Sequence, residues 1–167
     1  MKNVRDLERV LESSDSNLIL MVGVALSGKS TFIKKISEYC EVISRDDIIM
    51  ELGEGLSYSE AWGTVSQKQV SAILKSRLVA AAKSDKNVVI DMMNHRPKGR
   101  KAHLKLFPNH TKIAVIINVP DLNVLLERNE KRNREEGKFI SEGVLTNMLS
   151  IYTSPTKDEG FDYIIRV

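Results

Sequence analysis

The 167-residue sequence predicts an α/β protein: a parallel sheet of five strands between two layers of helices, with a helical lid. Three observations carry this. Short aliphatic runs such as 18–22 and 87–90 are apolar without alternation, the pattern of strands buried on both faces. Segments of helical character separate these runs, as parallel strands require. Directly after the first run stands Gly23-Val24-Ala25-Leu26-Ser27-Gly28-Lys29-Ser30-Thr31, a glycine, four residues, then Gly-Lys-Ser.

The elements follow in order. Val4, Leu7, Val10 and Leu11 lie at helical spacing, so 2–13 reads as an amphipathic helix within an N-terminal extension, 1–14. Residues 18–22 form strand one and 31–39 a helix. A short second strand spans 41–44. A helical turn covers 46–52, and Gly53 and Gly55 break it. A long helix rich in Ala and Leu is expected over 59–83, with a bend at Gly63. Strand three is 87–90. A helix over 97–107 begins with Pro97, whose fixed φ suits a first turn. Strand four is 112–119. A helix over 121–136 is expected to be capped by Asp121. A further helix spans 141–152, and strand five is 163–167. The whole of 1–167 reads as one domain, with a lid at about 127–140.

Composition narrows the class. The chain is 42% hydrophobic and 28% charged, the balance of a globular core rather than a disordered chain. No apolar run approaches the ~18 residues of a membrane span. The charged first segment is not of secretory type. The single cysteine, Cys40, cannot form an intramolecular disulfide, so a reducing cytoplasmic setting is expected. A net charge of +3 does not by itself mark a nucleic-acid binder. No histidine shares a zinc-ligand spacing with Cys40.

The glycine-bounded motif is a phosphate-binding loop. Gly23 and Gly28 let the backbone curl so that its N–H groups, with the helix N-terminus, face phosphate oxygens. Ser27 and Thr31 belong to the same cradle, Lys29 bridges the β- and γ-phosphates, and Ser30 is a Mg²⁺ ligand. The expected fold is therefore the three-layer α/β/α phosphate-loop NTPase type, using ATP and Mg²⁺. Ligands in such sheets lie beyond the carboxyl ends of the strands. After strand two come Arg45, Asp46 and Asp47. Asp46 is the candidate general base and Asp47 the reserve; the alternative is that one or both merely cap the next helix. Asp91 closes strand three as a candidate metal-side carboxylate, with Asn94 behind it. Arg128 and Arg132, four apart on one helix face, either close over the phosphates or belong to a solvated face of Glu–Arg pairs; Arg134 is a weaker candidate.

Two further features stay open. Arg96, Lys98, Arg100, Lys101, His103 and Lys105 form a basic run that either tracks a nucleic-acid backbone or is an exposed helix face. Tyr58 and Trp62 either stack a base or pack against the fold.

Together, GVALSGKST, ISRDD, VVIDMMN and LLERNEKR resemble the phosphate-loop 5′-hydroxyl polynucleotide kinase family of phage end-healing type, from residue 18 onward. The resemblance implies a nucleic-acid end-repair kinase with Asp46 as general base and Lys29 and Ser30 on the phosphates and metal. It places Asp91 at the end of the third strand and Arg128 and Arg132 in the lid. It implies an acceptor at a DNA or RNA 5′ end. The candidate acceptor contacts, read from the strand ends and the basic run, are Arg45, Asp47, Asn94 and Arg100. The chain departs from the family at Ala25-Leu26, where Pro-Gly is common. It departs again at Ile49, where the phage enzymes carry an arginine for the acceptor phosphate. No Asp-x-Asp phosphatase signature follows, so 3′-phosphatase activity is not expected. The expected reaction is ATP-dependent phosphorylation of a hydroxyl. A small-molecule or nucleotide kinase, or a non-catalytic nucleotide-binding module, are the alternatives.

Overall fold

The computed structural model describes residues 4–13 and 16–167. Residues 1–3 and 14 of the expected N-terminal extension lie outside the described residues. The order is α1 (Val4–Ser13), β1 (Asn17–Val22), α2 (Lys29–Ile36), β2 (Glu41–Ser44), α3 (Arg45–Leu52), α4 (Tyr58–Thr64), α5 (Gln67–Ala82), β3 (Val88–Asp91), α6 (Pro97–Leu106), β4 (Thr111–Ile116), α7 (Leu122–Glu136), α8 (Glu142–Ser150) and β5 (Tyr163–Arg166). Short 3₁₀ turns cover Ser37–Tyr39 and Lys157–Glu159.

The five strands are all parallel, in the order β2-β3-β1-β4-β5. Every residue of β1 is buried, as its unbroken apolar run requires. Alternate side chains then sort onto the two faces. Ile19, Met21, Val89, Ile113 and Val115 pack under α1 and α2 with Leu7, Leu11, Phe32 and Ile36. Leu18, Leu20, Val22, Ile90 and Ala114 pack against Leu78 and Ala81 of α5 and Leu104 and Phe107 at α6. The sheet is thus covered on both sides. Among the described residues no helix is long and apolar enough to cross a membrane.

Three local expectations are corrected. The long helix over 59–83 is two helices, broken at Val65 and Ser66 rather than bent at Gly63, which lies inside α4. The break is chemical: Ser57 and Glu60 form a capping box on α4, and Ser66 caps α5 by accepting from the Gln69 amide. Asp121 precedes α7 but its side chain makes no cap hydrogen bond. On α3 the cap is Ser44, whose Oγ accepts from the Asp47 amide at 3.3 Å, so neither aspartate is needed as the cap.

This topology sets the site. After β3 the chain crosses from one side of β1 to the other, so β1 ends at the point where strand order reverses. In the β2–β3 register Ser44 pairs with Asp91, placing the start of α3 beside the end of β3.

Candidate active site

The loop after β1 runs from Gly23 to Gly28, whose φ of +111° opens α2. A side chain at Gly23 would put a Cβ 2.7 Å from Ser27 Oγ, so the serine hydroxyl would have to move out of its place in the loop. Lys29 is buried, and its Nζ donates to the carbonyls of Gly23 at 3.0 Å and Val24 at 2.7 Å. Burial pulls its pKa down to about 8, against the opposing pull of Asp91 and Asp46; Arg132 adds to the lowering. Leu26 adopts φ +65°, a strained conformation for a leucine. Its side chain packs with Val24, Leu125 and Leu145, and its carbonyl accepts from Arg128 at 2.9 Å.

Two clefts flank this loop. The larger, about 790 Å³, is lined by the residues 26–32, by Asn118 and Pro120 beyond β4, and by Arg128 and Arg132. The other, about 430 Å³, holds Arg45, Asp46, Asp47, Tyr58, Trp62, Asp91, Arg132 and Lys138. Leu26, Lys29, Ser30 and Arg132 line both. Ser27, Gly28, Lys29, Ser30, Thr31, Arg128 and Arg132 therefore meet on the first cleft. Asp46, Asp47, Arg45 and Asp91 meet on the second. Asp91 titrates high because it is buried, with Asp46 and Asp47 repelling its charge and Lys29 opposing. Asp47 is raised by burial and by Asp46.

The donor set fits a nucleotide and its cation. Among the described residues, Ser27 Oγ and Arg132 Nε are buried without a hydrogen-bond partner, and both residues line the larger cleft. A buried polar atom left unpaired costs ~1–3 kcal/mol, which phosphate oxygens would relieve. Ser30 and Asp91 meet at the second cleft and offer only oxygen ligands. Among the described residues no three His, Cys, Asp or Glu side chains group to hold a metal ion. Such a sparse oxygen set suits Mg²⁺, which takes most of its remaining ligands from phosphates and water.

Two predicted substrate contacts are placed otherwise. Arg100 is fully buried. It forms a bidentate pair with Glu159, at 2.7 and 2.6 Å, and donates to the carbonyls of Asn94 and Thr153 at 2.9 and 2.8 Å. The guanidinium is spent on the fold and is not a free cation. Asn94 is also buried, at φ +46°, and its Nδ2 donates to Met21 O at 2.9 Å, binding the β3 end to β1. The other basic residues of α6 line neither cleft. Arg45 lies on the acceptor-side cleft, donating to Gln67 Oε1 at 2.8 Å and Ser71 Oγ at 3.2 Å. Ile49, where the chain departs from the resembled family, is fully buried against Ile48, Ala61 and Val70.

Sequence reasoning missed Lys138. It stands 4.8 Å above the Tyr58 ring and lines the second cleft. Its position just beyond the helix-ending Gly137 was the available signal.

The family profile described as AAA domain matches residues 18–155. The chain belongs to this family. It is 29% identical over 72% of its length to a protein of Autographa californica nuclear polyhedrosis virus provisionally named bifunctional polynucleotide kinase/RNA ligase. The chain spans 19% of the length of that relative. In fold it is similar to a chain of the Pnkp1/Rnl/Hen1 RNA repair complex, at 23% identity and a TM-score of 0.65, covering 83% of this chain and 44% of that one. It is similar also to a gluconokinase from Sinorhizobium meliloti 1021, at 20% identity and a TM-score of 0.59, covering 92% and 83%. The fold is thus that of phosphate-loop kinases, as the four motifs implied, and it serves nucleic-acid and sugar kinases alike.

Proposed function

We propose that this domain is an ATP- and Mg²⁺-dependent kinase that phosphorylates a 5′-hydroxyl end of DNA or RNA. One observation supports this above the rest. Asp46 stands in a second cleft that shares Lys29, Ser30 and Arg132 with the phosphate-loop cleft. An acceptor hydroxyl beside Asp46 would face the γ-phosphoryl group.

The residues then divide the work. Asp46 accepts the proton of the hydroxyl as its oxygen bonds to the γ-phosphorus and the bond to the β-phosphate oxygen breaks. Lys29 leaves the Gly23 and Val24 carbonyls to bridge the β- and γ-phosphoryl oxygens. Arg128 and Arg132 of the lid place positive charge where negative charge develops. Ser30 and Asp91 are the residues that would hold Mg²⁺, which supplies charge neutralisation between the β- and γ-phosphoryl groups. Arg45 and Asp47 border the acceptor.

A small-molecule kinase is the second reading. It is favoured by the buried Ile49 and by an α6 whose basic side chains lie away from both clefts. A nucleotide-binding module without transfer is a third, and Asp46 argues against it. Incubation with γ-labelled ATP and a panel of 5′-hydroxyl oligonucleotides, mononucleosides, sugars and sugar acids separates them. Label on oligonucleotides supports the proposal, label on sugars alone overturns it, and label nowhere overturns every kinase reading.

A further inference from the structure

We propose that Trp62 is the platform on which the aromatic base of the acceptor stacks, one ring beyond the attacked hydroxyl. The inference deepens the 5′-hydroxyl kinase reading and rests on it.

Trp62 is not a core residue. It is 46% exposed, and it lines the same cleft as Asp46. An indole half exposed at the mouth of this cleft offers a planar, apolar face to an aromatic ligand.

The helix that carries the indole is also held in place. The capping box at Ser57 fixes the start of α4. Its end is held by Gln67, whose Nε2 donates to the Trp62 carbonyl at 3.2 Å while Oε1 accepts from Arg45. Ser59 Oγ donates to the Gly137 carbonyl at 3.0 Å, joining α4 to the loop between α7 and α8. A rigid platform loses little freedom when a base settles on it.

The order of groups along α4 matches an acceptor nucleoside. Tyr58, the first residue of α4, lines the same cleft as Asp46, the candidate base. Lys138 covers the Tyr58 ring. Trp62 lies one turn later, with ring centroids 6.1 Å apart and planes inclined by 32°. A nucleoside whose 5′-hydroxyl reaches Asp46 extends its base along this row, past a ring already capped by a cation, to the open indole. Arg45 and Lys138 border the same cleft and suit the flanking phosphate. Every base has a π-face, so such a platform selects nucleic acid over aliphatic acceptors without reading sequence.

Trp62 is the chain's sole tryptophan, so its emission reports on this position alone. The test titrates a single-stranded 5′-hydroxyl oligonucleotide into the wild-type protein with a non-hydrolysable ATP analogue. A matched oligonucleotide with an abasic first nucleotide is the control. Quenching by the first and much weaker quenching by the second is expected. Kinetics on the same acceptors give the second readout. Trp62→Ala should raise KM for the intact end by about 5- to 150-fold, the range of one lost stacking contact. It should leave KM for the abasic end and for ATP unchanged, and Trp62→Phe should restore most of the loss. Equal KM effects on intact and abasic ends, or unquenched emission at a saturating active acceptor, would overturn the inference and leave the kinase reading standing. A wild-type protein that phosphorylates neither end overturns both. Should Trp62→Ala not fold, the wild-type emission still decides.

Discussion

Arg128 Nη1 donates to the Leu26 carbonyl, so helix α7 is fastened to the phosphate loop at its most strained residue. Leucine at φ +65° costs ~1–2 kcal/mol, and it is held there by packing on Leu125 and Leu145 from α7 and α8. Under the proposed function, phosphate that draws Arg128 away should loosen this clasp and couple the position of α7 to phosphate occupancy.

Replacing both Arg128 and Arg132 by alanine should slow single-turnover transfer by about 10³-fold while weakening ATP binding far less. Their charge matters most as charge develops in the transition state. Quenched-flow transfer rates beside an ATP titration check this; an unchanged rate would reduce α7 to a solvated helix.

Asp46→Asn should keep ATP binding and lose transfer by ~10²–10⁴-fold, because the amide accepts no proton. Asp47→Asn should be milder, and it should cost little stability because Ser44, not Asp47, caps α3. Turnover and melting temperature of the two variants give the answer, and a reversed order would move the base to Asp47.

Arg100→Met should destabilise the protein by ~3–5 kcal/mol, since it leaves the Glu159 carboxylate and two carbonyls without their donor. Lys101→Met, one residue away and exposed, should fall within ~0.5 kcal/mol of wild type. Urea melts of the pair test the contrast. Equal, small effects would mean that the buried pair contributes nothing.

Acid should weaken the fold through His110. This buried imidazole meets the Phe107 ring edge-on, centroids 5.0 Å apart, and burial lowers its pKa below the usual 6.5. Lys112 adds to the lowering while Asp85 opposes it, and both ring nitrogens are buried without a hydrogen-bond partner. The unfolded chain binds the proton first, so this contribution is full above pH 6.5 and is lost as pH falls below it toward the folded value. His110→Phe should flatten the stability profile between pH 5 and 7, read by denaturant melts. A profile parallel to wild type would assign the acid sensitivity elsewhere.

The parts of the site legible in the sequence are those whose chemistry imposes a spacing. Gly23, Gly28, Lys29 and Ser30 sit in a fixed pattern because phosphate geometry demands it. Asp91 stood out because it ends a buried strand, and Asp46 because it follows one by two residues, in the first turn of α3. Arg100 was misread as part of a basic face because its partner, Glu159, is 59 residues away. Yet its spacing from Leu104 and Phe107, four and seven residues on, marks the inward stripe of α6. The break between α4 and α5 was hidden for a related reason. No proline or glycine stands at Val65-Ser66, and the Ser57-x-x-Glu60 box that starts α4 was the clue. Trp62 was undecidable because periodicity cannot tell a buried aromatic from one at a cleft mouth.

The pair of clefts that meet at Lys29, Ser30 and Arg132 has a kinetic meaning. In the proposed two-substrate kinase each substrate would have its own doorway, so neither need leave before the other arrives. Transfer should then proceed inside a ternary complex, without a covalent phosphoenzyme. Initial-rate lines should intersect rather than run parallel, and a chiral thiophosphoryl group should change hands with a single inversion at phosphorus.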